Sequence, residues 1–244
     1  MNVLMVGGAG HVGTILLPEL QREHDIYCYD LQKVDSLGDR SIIGDVVDQE
    51  AVRSAVAGKD AILYLAMGSL VGDDGVKDVC QPGLAFDVNL LGTYLFMCEA
   101  LKSGANRFVY ASSLSVYSNT YMVGPEPVDE RTPADSWIVY GLTKHLGEHM
   151  CEAAAGSHPD ATIVALRLMF PTNEVVFTRM SQGAKRKNKK FHGLGPLDTR
   201  RLFLAALNCS TPGAHIVQAA GDVNGEKFPS DKAYEVLGWR PRGE

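Results

Sequence analysis

The stretch Val6-Gly7-Gly8-Ala9-Gly10-His11-Val12-Gly13 follows directly on the apolar run Val3-Leu4-Met5-Val6. It reads as a strand that enters a glycine-rich turn and leaves as a helix over 12–22. Three glycines answer three steric demands. One allows the tight turn, one lets backbone N–H groups approach a pyrophosphate, and one lets the helix close on the sheet. His11 lies in the loop and Val12 opens the helix, whose N-terminus turns its partial positive charge toward the phosphates. The second strand, Ile26-Tyr27-Cys28-Tyr29, runs into Asp30. An acid there can take both ribose hydroxyls of NAD and repels the 2′-phosphate of NADP. The expected cofactor is therefore NAD.

Outward from this unit, strand-like and helical runs alternate. Strands are expected at Val3–Val6, Ile26–Tyr29, Ser41–Ile43, Ala61–Ala66, Arg107–Ala111, Thr162–Leu168 and Ala214–Gln218. Helices are expected at Val12–Arg22, Asp48–Ala57, Leu84–Ser103, Ser136–Ala155 and Thr199–Leu207. Short buried strands with helical crossovers imply an α/β fold, a doubly wound parallel sheet of the Rossmann kind. Beyond Leu168 the pattern loosens through Pro171, the mixed stretch 172–182, the basic run 185–190 and Gly193-Leu194-Gly195-Pro196. The expected division is a dinucleotide-binding domain over 1–168 and a small, shortened C-terminal substrate lobe over 169–244. That lobe should return strands and a helix to the main body. The basic run reads as a solvated loop or as a phosphate-binding edge for a nucleotide-linked substrate.

At 244 residues, 45% of them hydrophobic and 21% charged, the chain can bury a full core. Its net charge of −6 argues against a nucleic-acid partner. No basic n-region with an apolar stretch opens the chain, and no apolar run approaches the ~20 residues that cross a bilayer. The expectation is a cytoplasmic protein with no membrane partner. Five cysteines without C-x-x-C spacing read as reduced thiols.

The chemistry is carried by Tyr140-Gly141-Leu142-Thr143-Lys144. Residues four apart share a helix face, so phenol and ammonium can address one space. The cation should stabilise phenolate and make the tyrosine usable as an acid or base near neutrality. The strand Phe108-Val109-Tyr110-Ala111 runs into Ser112-Ser113-Leu114-Ser115, and ligands of parallel sheets sit beyond such strand ends. A serine there can hold the reacting oxygen while tyrosine exchanges its proton.

In this order, these motifs resemble the extended short-chain dehydrogenase/reductases, the NAD-dependent epimerase/dehydratase family, over nearly the whole chain. Gly44-Asp45, with Val46 after it, is similar to the family's adenine-contacting turn, and Leu65-Ala66 to the segment lining the cofactor. Asn89-Leu90-Leu91-Gly92-Thr93 resembles its N-x-x-G-T, and Ala111 to Tyr117 its S-S-x-x-V-Y. Leu166-Arg167-Leu168 through Pro171 is similar to the strand and loop that meet the nicotinamide. Residues 231–241 are similar to its terminal K-A-x-x-x-L-G-W-x-P. The resemblance implies Ser113, Tyr140 and Lys144 as catalytic residues. It implies cofactor contacts from Gly7, Gly10, His11, Val12, Gly13, Asp30, Asp45, Val46, Leu65, Ala66, Asn89, Tyr140, Lys144 and Pro171.

Members are usually longer after Pro171 and between Val223 and Asp231, where nucleotide-sugars are held. The trimmed lobe looks more like the uronate-dehydrogenase branch, although that branch has Asn-His where this chain has Leu114-Ser115. On that likeness Ser69 would meet a substrate hydroxyl, Ser113 the reacting oxygen and Arg179 a carboxylate. The expected substrate is a small carbohydrate. A redox-neutral nucleotide-sugar epimerase and a non-catalytic NAD-sensing protein are the alternatives. His145 and His149, four apart, have no evident third ligand, so no metal is expected. The family's four-helix dimer interface would use Leu90, Leu91, Tyr94, Leu95, Leu142, Leu146 and Met150, giving a homodimer.

Overall fold

Seven strands run parallel: Asn2–Val6 (β1), Asp25–Asp30 (β2), Ser41–Ile43 (β3), Ala61–Tyr64 (β4), Arg107–Ser113 (β5), Thr162–Leu168 (β6) and Gly213–Ala219 (β7). They hydrogen-bond in the order β3-β2-β1-β4-β5-β6-β7. The computed structural model describes residues 1–68 and 82–244. The chain winds outward from β1 in one direction, then crosses to β4 and winds outward in the other. The reversal between β1 and β4 opens a crevice at the carboxyl ends of the strands, where such sheets bind ligands.

Both faces of the sheet are covered, which is why its strands are continuously apolar rather than alternating. On one face Val3, Met5, Val109 and Leu166 pack with Leu16 and Leu20 of the helix His11–Glu23 (α1). Leu202 and Phe203 of the helix Pro196–Asn208, numbered α8 below, complete that layer. On the other face Leu4, Val6, Ile62 and Phe108 pack with Val52 of Gln49–Val56 (α2). The stretch Pro82–Ser103 adds Phe96 and Met97 to that layer. Burying each such side chain stabilises the fold by about 1.5–3 kcal/mol.

The stretch Pro82–Ser103 differs from the single helix expected there. It runs as Pro82–Phe86 (α3), a π-helical turn Asp87–Gly92, and Thr93–Ser103 (α4). Its 22 residues are long and apolar enough to cross a membrane by length and composition, which corrects the expectation that no run reaches that length. Phe96, Met97 and Ala100 instead sit in the sheet's core.

After β5 come a short 3-10 turn Leu114–Val116, Asn119–Val123 (α5) and Val139–Ser157 (α6). After β6 come Glu174–Arg186 (α7), then α8, and after β7 comes Asp231–Leu237 (α9). The loop expected through 172–182 is therefore mostly helical. Asn173 caps α7 through Val176 N (3.0 Å), and its apolar side, Val176, Phe177 and Ala184, is only partly buried. Residues 196–219 carry α8 and β7 into the same layers as the first six strands.

Gly7 turns out of β1 at φ +82°, and a Cβ on Gly13 would collide with the backbone of Gly8. Backbone cannot step aside as a side-chain tip can. Gly13→Ala should cost about 1–3 kcal/mol by overpacking, read as a lowered Tm with weakened NAD binding. An unchanged melt would show that α1 does not depend on this close approach.

Candidate active site

The carboxyl ends of the strands surround a cleft of about 710 Å³. Gly7, Ala9, Gly10, His11 and Val12 line it from the glycine loop, and Asp30, Asp45 and Val46 from the ends of β2 and β3. Leu65 and Ala66 continue beyond β4, where the strand stops two residues earlier than its apolar run suggested. Ser113, Tyr140 and Lys144 form the far wall, and Phe170 and Pro171 close it beyond β6.

The glycine loop is built for an anion. The first turn of α1 carries no acidic residue, and Gly10 supplies no side-chain cap, so its N–H groups lack a side-chain acceptor. Asp30 steadies the loop: Oδ2 accepts from Ala9 N at 2.9 Å, and Oδ1 accepts from Gln32 N at 3.0 Å. An ionised carboxylate has about four acceptor sites, so both oxygens can still receive ribose hydroxyls. His11 is exposed, and its Nε2 lies 3.0 Å from the Pro171 carbonyl, spanning from the glycine loop to the loop beyond β6.

At the far wall, Ser113 ends β5 and its Oγ accepts from Ser115 N at 3.1 Å, which fixes the turn. Tyr140 sits in the first turn of α6, half-buried. Lys144, one turn on, is buried and donates from Nζ to the Ala111 carbonyl at 2.7 Å. The Nζ lies 4.9 Å from the Tyr110 ring centre and 5.8 Å from that of Tyr140. Burial raises the Tyr140 phenol above its ordinary range, with the Ser113 hydroxyl opposing. Burial brings the Lys144 ammonium down to about 7, with Glu148 opposing. The sequence suggested that Lys144 would draw Tyr140 downward. The structure differs because desolvation favours the neutral form of both groups, and the Ser113 hydroxyl only partly offsets it at Tyr140.

The sequence model of the NAD dependent epimerase/dehydratase family matches residues 3–206. The chain belongs to that family. It is 31% identical over 182 residues to N-acetyl-alpha-D-glucosaminyl-diphospho-ditrans,octacis-undecaprenol 4-epimerase of Escherichia coli O157:H7, covering 75% of this chain and 51% of that protein. It is 24% identical over 255 aligned positions to L-arabinose 1-dehydrogenase (NAD(P)(+)) of Haloferax volcanii, covering 99% of this chain and 96% of that one. The chain thus spans about half the length of the first relative and nearly all of the second. Among solved structures, a short-chain dehydrogenase/reductase superfamily protein from Agrobacterium tumefaciens with bound NAD superposes at TM-score 0.78. That likeness has 20% identity and covers 99% of this chain and 93% of the other. A mutated uronate dehydrogenase superposes at TM-score 0.73 with 23% identity, covering 99% and 81%. At these identities the structural likenesses establish the fold.

NAD is the cofactor of this family member, and the cleft fits it: an uncapped helix N-terminus for the pyrophosphate and Asp30 for a ribose. Three residues singled out in the sequence stand apart from the cleft wall. Gly13 lies beneath the loop against Gly8. Asn89 is buried in the π turn, accepting from Gly68 N (3.0 Å) and donating to Thr143 Oγ1 (2.9 Å), so it ties the end of β4 to α6 beside Lys144. π turns often mark functional sites. Arg179 lines a separate, more open groove along α7 with Glu174, Gln182 and Arg186. Ser69 lies outside the described residues. His145 and His149 stack with ring centres 4.6 Å apart, and His149 Nδ1 lies 3.0 Å from Glu152. Among the described residues no set of three His, Cys, Asp or Glu side chains converges as a metal site.

Sequence reasoning passed over the ion pair behind Lys144. Glu148 and Arg167 are both buried, and Arg167 forks onto the carboxylate at 2.9 and 2.8 Å. Breaking such a pair from one side costs about 3–5 kcal/mol. The signal available was spacing: Glu148 falls four residues after Lys144, and Arg167 stands inside the apolar strand β6.

Asp30→Ala removes the ribose acceptor and the tie to Ala9. NADH affinity should fall about 10- to 100-fold, with the preference over NADPH shrinking by a similar factor, both read by fluorescence titration. An unchanged preference would take Asp30 off the ribose.

Proposed function

We propose that the protein is an NAD-dependent dehydrogenase acting on a small free sugar or sugar acid. The observation that carries the reading is the meeting of Ser113, Tyr140 and Lys144 at the inner end of a cleft whose outer end is a phosphate-binding loop. When bound, the dinucleotide supplies a nicotinamide ring able to accept or return a hydride. Ser113 holds the reacting oxygen of the substrate by its hydroxyl. Tyr140, as phenolate, takes the hydroxyl proton as hydride leaves the adjacent carbon, and it returns that proton in the reverse direction. Lys144, whose Nζ lies 5.8 Å from the Tyr140 ring centre, would as ammonium offset part of the phenolate's charge and hold the nicotinamide ribose. The site keeps these groups out of bulk water, where each charge would be better solvated and less effective.

Two features favour net oxidation of a small substrate. In sequence, the likeness to the arabinose dehydrogenase runs the length of both chains, whereas that to the Escherichia coli epimerase stops at about half of the relative. The connection from β6 to β7 holds only α7 and α8, leaving little protein to enclose a nucleotide-linked sugar. A dehydratase would need an acidic pair beside the serine, and Leu114-Ser115 offers none. A redox-neutral nucleotide-sugar epimerase is the second reading, favoured by the basic run at the end of α7. One member of that run, Lys190, is already paired with Glu226 at 2.5 Å. We further propose a homodimer through the π turn, α4 and α6, where Leu91, Tyr94 and Leu146 are exposed. A monomeric mass by light scattering would remove it.

The deciding assay follows NADH absorbance with NAD and a panel of uronic acids, aldoses and nucleotide-sugars. NADH formed with a free sugar or sugar acid is the expected result. Product without NADH, found only with a nucleotide-sugar, would establish the epimerase. Tyr140→Phe should lower turnover about 10²- to 10⁴-fold while leaving NAD affinity within about twofold. Full activity in that variant would refute the tyrosine as acid–base.

A further inference from the structure

Glu148 lies one helical turn beyond Lys144 and makes three short contacts inside the protein. Oε1 accepts from Arg167 Nε at 2.9 Å and from the Ser112 hydroxyl at 2.6 Å, and Oε2 accepts from Arg167 Nη2 at 2.8 Å. The Glu148 side chain is 1% exposed and that of Arg167 6%. Arg167 also donates from Nη1 to the Tyr117 oxygen at 2.6 Å, and Tyr117 donates to the Asp129 carbonyl at 2.8 Å. One carboxylate thus joins α6, the end of β5 and β6, and through Arg167 it reaches the segment after β5. Neither Glu148 nor Arg167 lines the cofactor cleft. They border a separate polar cavity of about 190 Å³ together with Glu130, His145, His149 and Lys232.

Stability alone does not account for this arrangement, because well-packed apolar residues often replace a buried ion pair without loss. The charges around Lys144 suggest what it does. On α6, Tyr140 and Glu148 lie one turn to either side of it. From β5 it meets the Tyr110 ring and the Ala111 carbonyl, with Ser113 alongside Tyr140. Tyr110 is held neutral by burial, well above the ordinary tyrosine range. Glu148 is the group that opposes the desolvation of Lys144. Around Glu148 itself stand Arg167 from β6, Ser112 from β5, and His145, His149 and Glu152 on α6. Glu130 and Lys232 approach from the far side of the small cavity. His145 is lowered by burial, so it is neutral at neutral pH.

We infer that Glu148, clamped by Arg167, is a positioning residue for the reaction: it sets a carboxylate one helical turn from the buried Lys144 ammonium, and it fixes Ser112 so that Ser113 faces Tyr140. This rests on the proposed acid–base role of Tyr140. The consequence for pH follows from requiring Tyr140 as phenolate and Lys144 as ammonium together. The working fraction is the product of the two, and the pair titrates jointly. Well below the Lys144 midpoint the ammonium is complete, and the rate is set by how much Tyr140 is ionised. Above that midpoint the loss of ammonium cancels the gain of phenolate, so the rate levels off at a height set by the Lys144 midpoint. Removing the Glu148 charge lowers the midpoint and leaves the acidic region untouched.

The test compares wild type with Glu148→Gln, with Glu148→Asp, and with the double variant Glu148→Gln/Arg167→Met, which leaves no unpaired buried charge should the single variant fail to fold. Lys144 is titrated by NMR with [¹³Cε]-lysine, its signal assigned by loss in Lys144→Met. Its midpoint should fall by about one unit or more in both Gln variants and stay near wild type in Glu148→Asp. In turnover, the Gln variants should match wild type well below pH 7 and lose about tenfold or more above it. A Lys144 midpoint within about 0.3 units of wild type in the Gln variants would overturn the proposal. So would an equal loss of rate at every pH, which is the mark of a merely structural role. If wild type turns over no sugar, the proposed function fails, and the lysine titration still decides the part played by Glu148.

Discussion

Parallel pairing of all seven strands constrains everything else in this molecule. Every strand ends on the same side, so each loop leaving a strand end meets the others there. The glycine loop after β1, Asp30 at the end of β2, Asp45 after β3, Leu65 and Ala66 after β4, Ser113 at the end of β5 and Pro171 after β6 reach one cleft for that reason alone. Tyr140 and Lys144 join them from the helix that follows β5, because a right-handed crossover returns that helix across the same sheet. The reversal of winding between β1 and β4 leaves the gap the cofactor needs. Burial of both faces then makes the edge rigid: β1 presents Val3 and Met5 to one layer and Leu4 and Val6 to the other.

The acid–base machinery is held in tension with that rigidity. The packing that fixes Tyr140 and Lys144 also desolvates them, and desolvation drives each toward its neutral form. Charged partners must work against this, and the described residues offer few. Ser113 favours the phenolate, and Glu148 favours the ammonium. Glu148 can sit there at full burial because Arg167 forks onto it and satisfies both of its oxygens. The reactive pair at the surface of the cleft thus depends on a second pair one layer deeper, which never meets substrate.

Much of the fold was legible because it follows from hydrophobic periodicity and glycine placement. The strands appear where apolar runs stop at polar or glycine punctuation, and the expected bounds of β3 and β6 coincide with those observed. The cleft residues were legible where a chemical motif fixes its own geometry, as in the glycine loop or Tyr140 and Lys144 on one helix face. What escaped was structure without a local signature. α7 buries none of its residues fully and sits between Pro171 and a basic run, and Arg179 lies along it rather than on the cleft wall. Asn89 looks like a cofactor contact in a motif, yet a π turn carries it inward to hydrogen bonds with Gly68 and Thr143. The Glu148–Arg167 pair joins residues on different elements, and pairing of that kind emerges only when β6 is laid beside β5.

The same division explains why reaction class is easier to read than substrate. The proposed catalytic side chains stand on the sheet edge and the first turns of α6, where any displacement would disturb two packed layers. The elements that would choose a sugar hang from the segments after β6 and β7, tied back by a few backbone bonds. Thr172 N donates to Leu194 O at 2.9 Å, Leu194 N to Met169 O at 2.9 Å, and Gly221 N to His192 O at 2.7 Å. Phe170, at φ +40° in the first of these segments, is half exposed at the cleft mouth and meets Phe191 edge to face at 6.4 Å. A non-glycine residue in that conformation costs of order 1–3 kcal/mol, so the surrounding bonds must over-determine it. The loop that borders both the cofactor and the substrate space is therefore shaped by contacts with the segment before α8, and a change there would alter the choice of sugar while Ser113, Tyr140 and Lys144 stayed in place.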